Sequence, residues 1–130
     1  MTVLQQRARK PAATNGKATV RIYTLEVFLI GGPISEKFAQ KYRIVTRMIQ
    51  IRGDQTLEDL HHAIFDAFGR EEEHMYEFHF GKGPMDPRGK RYILAGAFDL
   101  AQEQGRPASG RVDLTTLDSL HLKVGRRFGY

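Results

Sequence analysis

Two histidines and a carboxylate fall close together in the chain: His61 in LEDLHHAIF, and His74 and Glu77 in HMYEFHF. Side chains of these types could hold a divalent metal or act as acid and base. The spacing matches no H-E-x-x-H or comparable template. With zero cysteines the chain offers no thiolate ligand, no thiol nucleophile and no disulfide framework. His61 shares a helical stripe with Leu57, Leu60, Ile64 and Phe68, so a histidine hydrogen-bonded at a helix–sheet boundary is expected. Glu77 lies in a strand on the face opposite Tyr76 and Phe78. Arg47 shares a strand face with Val45, Ile49 and Ile51; a guanidinium there must find a carboxylate or reach solvent, and snorkelling from a sheet edge is expected. Gly81-Lys82-Gly83 is no phosphate cradle, because it lacks the G-x-x-x-x-G-K-[ST] spacing and follows a strand without opening a helix. The candidate binding residues are therefore Arg47, His61, His74 and Glu77. No catalytic set, metal or cofactor is assigned.

The elements that must position these residues follow from periodicity. VRIYTLEVFLI, residues 20–30, is rich in β-branched and aromatic residues and alternates Tyr23, Leu25, Val27 and Leu29 on one face. Gly31-Gly32-Pro33 ends it, and a second strand from about Tyr42 to Arg52 completes a long-looped hairpin. Thr56-Leu57-Glu58-Asp59 predicts a capped helix start, with aspartate in place of the usual glutamate or glutamine. Gly69 is well placed to end that helix. The acidic run Glu71-Glu72-Glu73 reads as a solvated turn, and MYEFHF as an aromatic strand. GKGPMDPRGK is turn chemistry throughout. RYIL predicts a short edge strand, AFDLAQEQ two helical turns, and residues 104–111 a loop. Thr115–Leu120 predicts one capped helical turn before a final strand in Arg126–Tyr130.

This order predicts an α+β domain with a β-grasp-like mixed sheet: hairpin, one main helix, strand, irregular crossing, short helical turn, final strand. In such a sheet the last strand lies in the middle, parallel to the first. A chain that stops on Phe128-Gly129-Tyr130 is expected to stop inside that strand, so residues 20–130 are read as a single domain incomplete at its C-terminus.

The formal net charge is +5. Arg7, Arg9, Lys10 and Lys17 are four of the twenty basic residues, and none of the fifteen acidic residues falls in residues 1–19. The rest of the chain is thus nearly neutral. Residues 1–19 show no apolar period and are expected to be a disordered basic tail that attracts polyanions without sequence preference. No apolar run reaches the roughly 18 residues of a membrane span, and no apolar leader opens the chain, so the cytoplasm is the expected location.

GDQTLEDLHHAIFDAFGREEEHMYEFHF, residues 53–80, resembles the centre of the family named after the third open reading frame of an agrobacterial Ri plasmid, whose members include insertion-sequence passenger, TnpR-like proteins. Gly53-Asp54, Thr56-Leu57, Leu60-His61, Ala67-Phe68-Gly69, His74, Tyr76 and Phe78 carry the likeness, and Thr116–Leu120 with Phe128-Gly129-Tyr130 extends it. The chain departs from the family at Thr46-Arg47 and at Arg70, where members carry a tryptophan before the arginine and after the glycine. It also lacks the F-D-F-G-D-x-W strand with which members continue. The resemblance implies a plasmid- or transposon-associated accessory role. The expected function is a non-enzymatic module that binds protein by strand addition or nucleic acid through the basic tail, with homodimerisation as a further expectation. The alternative is a metal-assisted or acid–base enzyme using His61 and His74 with acids of the absent strand.

Overall fold

The computed structural model describes residues 2–7, 12–14, 18–29, 45–70, 75–82 and 86–130. Strand β1 (Thr2–Arg7) is followed by a small hairpin of β2 (Ala12–Thr14) and β3 (Ala18–Val20). Then β4 (Ile22–Leu29) pairs antiparallel with β5 (Val45–Arg52) along its whole length, from Ile22↔Arg52 to Leu29↔Val45. The alternation of the pleat sends Tyr23, Leu25 and Val27 with Ile49 and Ile51 into the core. Expectation and structure coincide here, because apolar alternation is a local signal.

Helix α1 (Leu57–Ala67) begins with a complete capping box. The Thr56 hydroxyl accepts from the Asp59 N–H at 3.2 Å, and the Asp59 carboxylate accepts from the Thr56 N–H at 2.9 Å. Aspartate is one methylene shorter than glutamate and still closes the box. The helix ends at Gly69, whose φ of 61° would strain any other side chain; the N–H of Arg70 returns to the Phe65 carbonyl and that of Gly69 to the Asp66 carbonyl. Leu57, Leu60, His61 and Ile64 form the buried stripe that lies on the sheet.

The remaining elements are β6 (Glu77–Phe80), β7 (Lys90–Ile93), α2 (Ala95–Glu103), the two-residue β8 (Gly110–Arg111), a 3-10 turn (Asp118–Leu120) and β9 (Arg127–Gly129). Among the described residues one sheet runs in the order β5-β4-β1-β9-β6-β7-β8. It is mixed, since β7 and β8 are parallel while the other pairs are antiparallel. The chain is thus an α+β fold with its last strand inside the sheet. β9 pairs with β1 on one side and β6 on the other, so it runs parallel to β4 but is separated from it by β1.

That separation overturns one expectation. Residues 1–19 carry no apolar period, yet Thr2–Arg7 is a strand within the sheet, and Ala12–Thr14 pairs with Ala18–Val20. The reason is physical: a strand flanked on both sides is held by main-chain hydrogen bonds, which every non-proline residue can make. Gly110–Arg111, expected as loop, adds a short edge strand that pairs with β7 on one side only.

Candidate functional site

His61 is a core residue, 1% exposed. Its ring stacks on Tyr76 with centroids 3.7 Å apart and planes 5° from parallel, and it lies 4.3 Å from the Phe65 ring. Its Nδ1 shares a 2.5 Å hydrogen bond with the Tyr130 hydroxyl. Tyr130 in turn packs on Phe78, centroids 4.9 Å apart. Burial is the main cause that pushes the Tyr130 phenol well above its ordinary range; proximity to Tyr76 adds to the rise and Arg70 opposes it. A phenol held protonated beside a buried imidazole fastens α1 to β6 and the end of β9. Its aromatic neighbours add packing of the kind worth about 0.5–1.5 kcal/mol per ring pair.

The other expected site residues do not join it. Arg47 is exposed and closes the C-terminal end of α1: its Nε donates to the Ala67 carbonyl at 3.1 Å and its Nη1 to the Thr46 carbonyl at 2.9 Å. The guanidinium also sits 5.2 Å from the Phe68 ring centroid. Glu77 is half-buried and ion-paired, with Oε2 3.0 Å from Arg91 Nε and Oε1 2.9 Å from His79 Nε2. His74 lies outside the described residues, as do Arg9, Lys10 and Lys17; the backbone of Arg7 belongs to β1. Among the described residues no three His, Asp or Glu side chains gather as a metal site would require. An open cleft of about 650 Å³ runs beside His61 between α1 and α2, with Tyr76, Leu94, Leu100 and Val112 giving it a mostly apolar wall.

A different cluster stands at one end of the sheet. β6 runs out at Phe80 and β9, its antiparallel neighbour, begins at Arg127, while Lys90 opens β7 opposite Phe80. The β6–β7 turn and the segment leading into β9 are therefore side by side. Two adjoining clefts of about 370 and 590 Å³ share Phe80, Lys90 and Arg126. Lys82 and Arg88 line one of them, and His121 and Lys123 the other. The acid among these linings is Asp86, and its oxygens are already committed to the N–H groups of Lys82 (3.0 Å) and Arg88 (2.9 Å). Those backbone bonds, Lys82 first, hold the Asp86 carboxyl below its ordinary range.

The contrast with other arginines makes the segregation plain. Arg52 pairs with Asp54, Arg91 with Glu77 and Arg111 with Asp113. Among the described residues, Arg88, Lys90, Lys123 and Arg126 make no ion pair. Sequence reasoning missed this cluster because it summed the core's charge to near zero. The signal was present in GKGPMDPRGK and HLKVGRR, two turn-rich stretches with more cations than acids.

Residues 37–130 match the plasmid pRiA4b ORF-3-like protein family. The chain belongs to that family. The match of this pRiA4b ORF-3-like chain covers β5 through β9, and with them α1, the His61 cluster and both basic clefts; β1 to β4 precede it. No curated protein and no solved structure matches the chain. The family's description names a plasmid reading frame and no reaction, so a functional reading must come from the chemistry of the surface. Among the described residues no helix is long and apolar enough to cross a membrane.

Proposed function

We propose that this chain is a non-enzymatic binding module whose folded core grips the phosphate backbone of a nucleic acid through the basic end of its sheet. The observation that supports the reading is the convergence of Lys82, Arg88, Lys90, His121, Lys123 and Arg126 on two adjoining clefts whose one acid is already occupied. Unpaired cations on a concave surface attract a polyanion by releasing its condensed counterions. Ammonium and guanidinium groups also donate hydrogen bonds to phosphate oxygens without reading base identity. A mobile-element accessory protein that handles nucleic acid without sequence preference would need this chemistry and no reacting group.

The test is binding of double- and single-stranded oligonucleotides of mixed sequence, followed across a range of salt concentrations. Lys90→Ala, Lys123→Ala and Arg126→Ala should each weaken binding to all sequences alike and lower the salt slope by about 1. Arg70→Ala and Arg106→Ala, exposed and absent from the clefts, serve as equal-charge controls. Equal losses in both sets would reduce the effect to net charge and overturn the reading. So would affinity that survives removal of all three cleft cations.

A further inference from the structure

β1 stands between two strands that run parallel to one another, β4 and β9, and is antiparallel to both. It pairs with β4 over six positions, from Thr2↔Leu29 to Arg7↔Thr24, and with β9 over three, from Val3↔Gly129 to Gln5↔Arg127. The walls of this position are strongly apolar on the core side: Leu25 and Val27 of β4 and Phe128 of β9 are fully buried. The strand that fills it is not. In register, Leu4 stands opposite Val27 and Phe128, but Gln6 stands opposite Leu25. Four of the six residues of TVLQQR are polar or charged. On β4 and β5, by contrast, Tyr23, Leu25, Val27, Ile49 and Ile51 are all apolar and buried.

Such a strand is held chiefly by its main-chain ladder, and a ladder does not distinguish the chain that supplies it. The same six residues from a second copy would make the same hydrogen bonds in the same register. Opening the position, on the other hand, exposes two rows of unpaired backbone groups beside apolar walls, a ready template for another strand.

We infer that the position between β4 and β9 is a strand-acceptor slot, and that residues 2–7 of one copy enter the slot of a second copy to give a reciprocally exchanged dimer. The exchange is isologous, so it closes at two copies and leaves no free slot. Each copy then completes the sheet of the other. The inference is independent of the polyanion reading, since none of the cleft cations lies on β1 or β4.

The absence of cysteine from the chain gives a direct test. Gln5 and Glu26 are register partners across the slot, and directly opposite strand residues are within disulfide reach. A full-length Gln5→Cys chain and a size-tagged Glu26→Cys chain are mixed at several concentrations and oxidised. Exchange predicts a disulfide-linked heterodimer whose yield rises with concentration. It should disappear when Gln50→Cys, on β5 and two strands away from β1, replaces Glu26→Cys. The double variant Gln5→Cys/Glu26→Cys checks that the strand occupies the slot at all, and sedimentation of the unsubstituted chain checks that a dimer exists without cysteines. Cross-linking of the double variant within one chain, with no heterodimer above the control, would mean the slot is filled only in cis and would overturn the inference. Failure of the double variant to cross-link in either way would overturn it too, by showing that residues 2–7 do not sit there.

Discussion

The Asp118 carboxylate fills the space that a side chain on Gly53 would need, so these two residues, far apart in sequence, fix each other's identity. The Asp118 N–H donates to the Gly53 carbonyl at 2.9 Å, and the Tyr23 hydroxyl donates to Asp118 Oδ1 at 2.8 Å. The Leu117 N–H reaches the Gln55 carbonyl, and Thr56 bridges to Thr116. The turn after β5 is thus sewn to the 3-10 turn that precedes β9. Gly53→Ala should destabilise the fold by about 1–3 kcal/mol, as overpacking does. Tyr23→Phe should cost about 0.5–1.5 kcal/mol for the lost hydrogen bond. Because Gly53 and Asp118 contact each other, Asp118→Ala should partly rescue Gly53→Ala, and chemical denaturation of the four chains in that cycle measures the coupling. Strict additivity would mean that the two do not compete for the same space.

Tyr130 makes an alkaline prediction. Burial raises its pKa in the folded chain above the value near 10 that it has when unfolded. A raised pKa means the stabilisation is fully present below about pH 10 and is lost as pH rises through the folded value. Stability should therefore fall on the alkaline side, and Tyr130→Phe should flatten that fall while costing stability at neutral pH, because the hydrogen bond between His61 Nδ1 and the Tyr130 hydroxyl is lost. Tyr23, raised by burial and by Asp118, and Tyr92, raised by burial, leave a residual slope. Thermal melts of both chains at stepped pH, with phenolate absorbance followed in parallel, decide the matter. An unchanged alkaline slope in Tyr130→Phe would place the linkage elsewhere.

The parts of the fold that could be read from sequence are those encoded by neighbours. Thr56 and Asp59 sit three residues apart and announce the cap, and Gly69 announces the stop. Tyr23, Leu25 and Val27 alternate and announce a half-buried strand. β1 was illegible because its partners, β4 and β9, supply what TVLQQR lacks, and pairing of distant strands leaves no local pattern. The Gly53–Asp118 and His61–Tyr130 contacts span 65 and 69 residues, respectively, so each motif could be seen alone but not the meeting of the two. The basic end was hidden for a related reason: charge adds along a sequence, whereas binding depends on where the sheet gathers it. Lys82, Lys90 and Arg126 become neighbours only through the β7-β6-β9 order.

Helix α1 offers a check on whether local signals set its length. Thr56→Ala removes the acceptor for the Asp59 N–H and should cost about 1 kcal/mol. Gly69 has open space where a Cβ would go but a φ of 61°, so Gly69→Ala should cost about 1 kcal/mol through backbone strain alone. Asparagine tolerates that conformation better, and Gly69→Asn should recover part of the loss. Urea titrations monitored by circular dichroism rank the three. A Gly69→Ala chain as stable as the parent would show that the helix end relaxes out of the left-handed conformation.

Asp86 ties the turn chemistry to the binding surface. It holds the N–H groups of Lys82 and Arg88, the two cations that flank it in the β6–β7 turn. Those bonds depress its pKa, so the turn should keep its shape as pH falls through the ordinary carboxylate range and loosen only below it. Amide chemical shifts of Lys82 and Arg88 would report the transition, and both should move together at one pH. Asp86→Asn keeps an acceptor without the charge; its amides should be insensitive to acid, while polyanion affinity rises because one negative charge has left the cleft. Weaker binding by Asp86→Asn would show that the carboxylate's hold on the turn matters more to the surface than its charge opposes it.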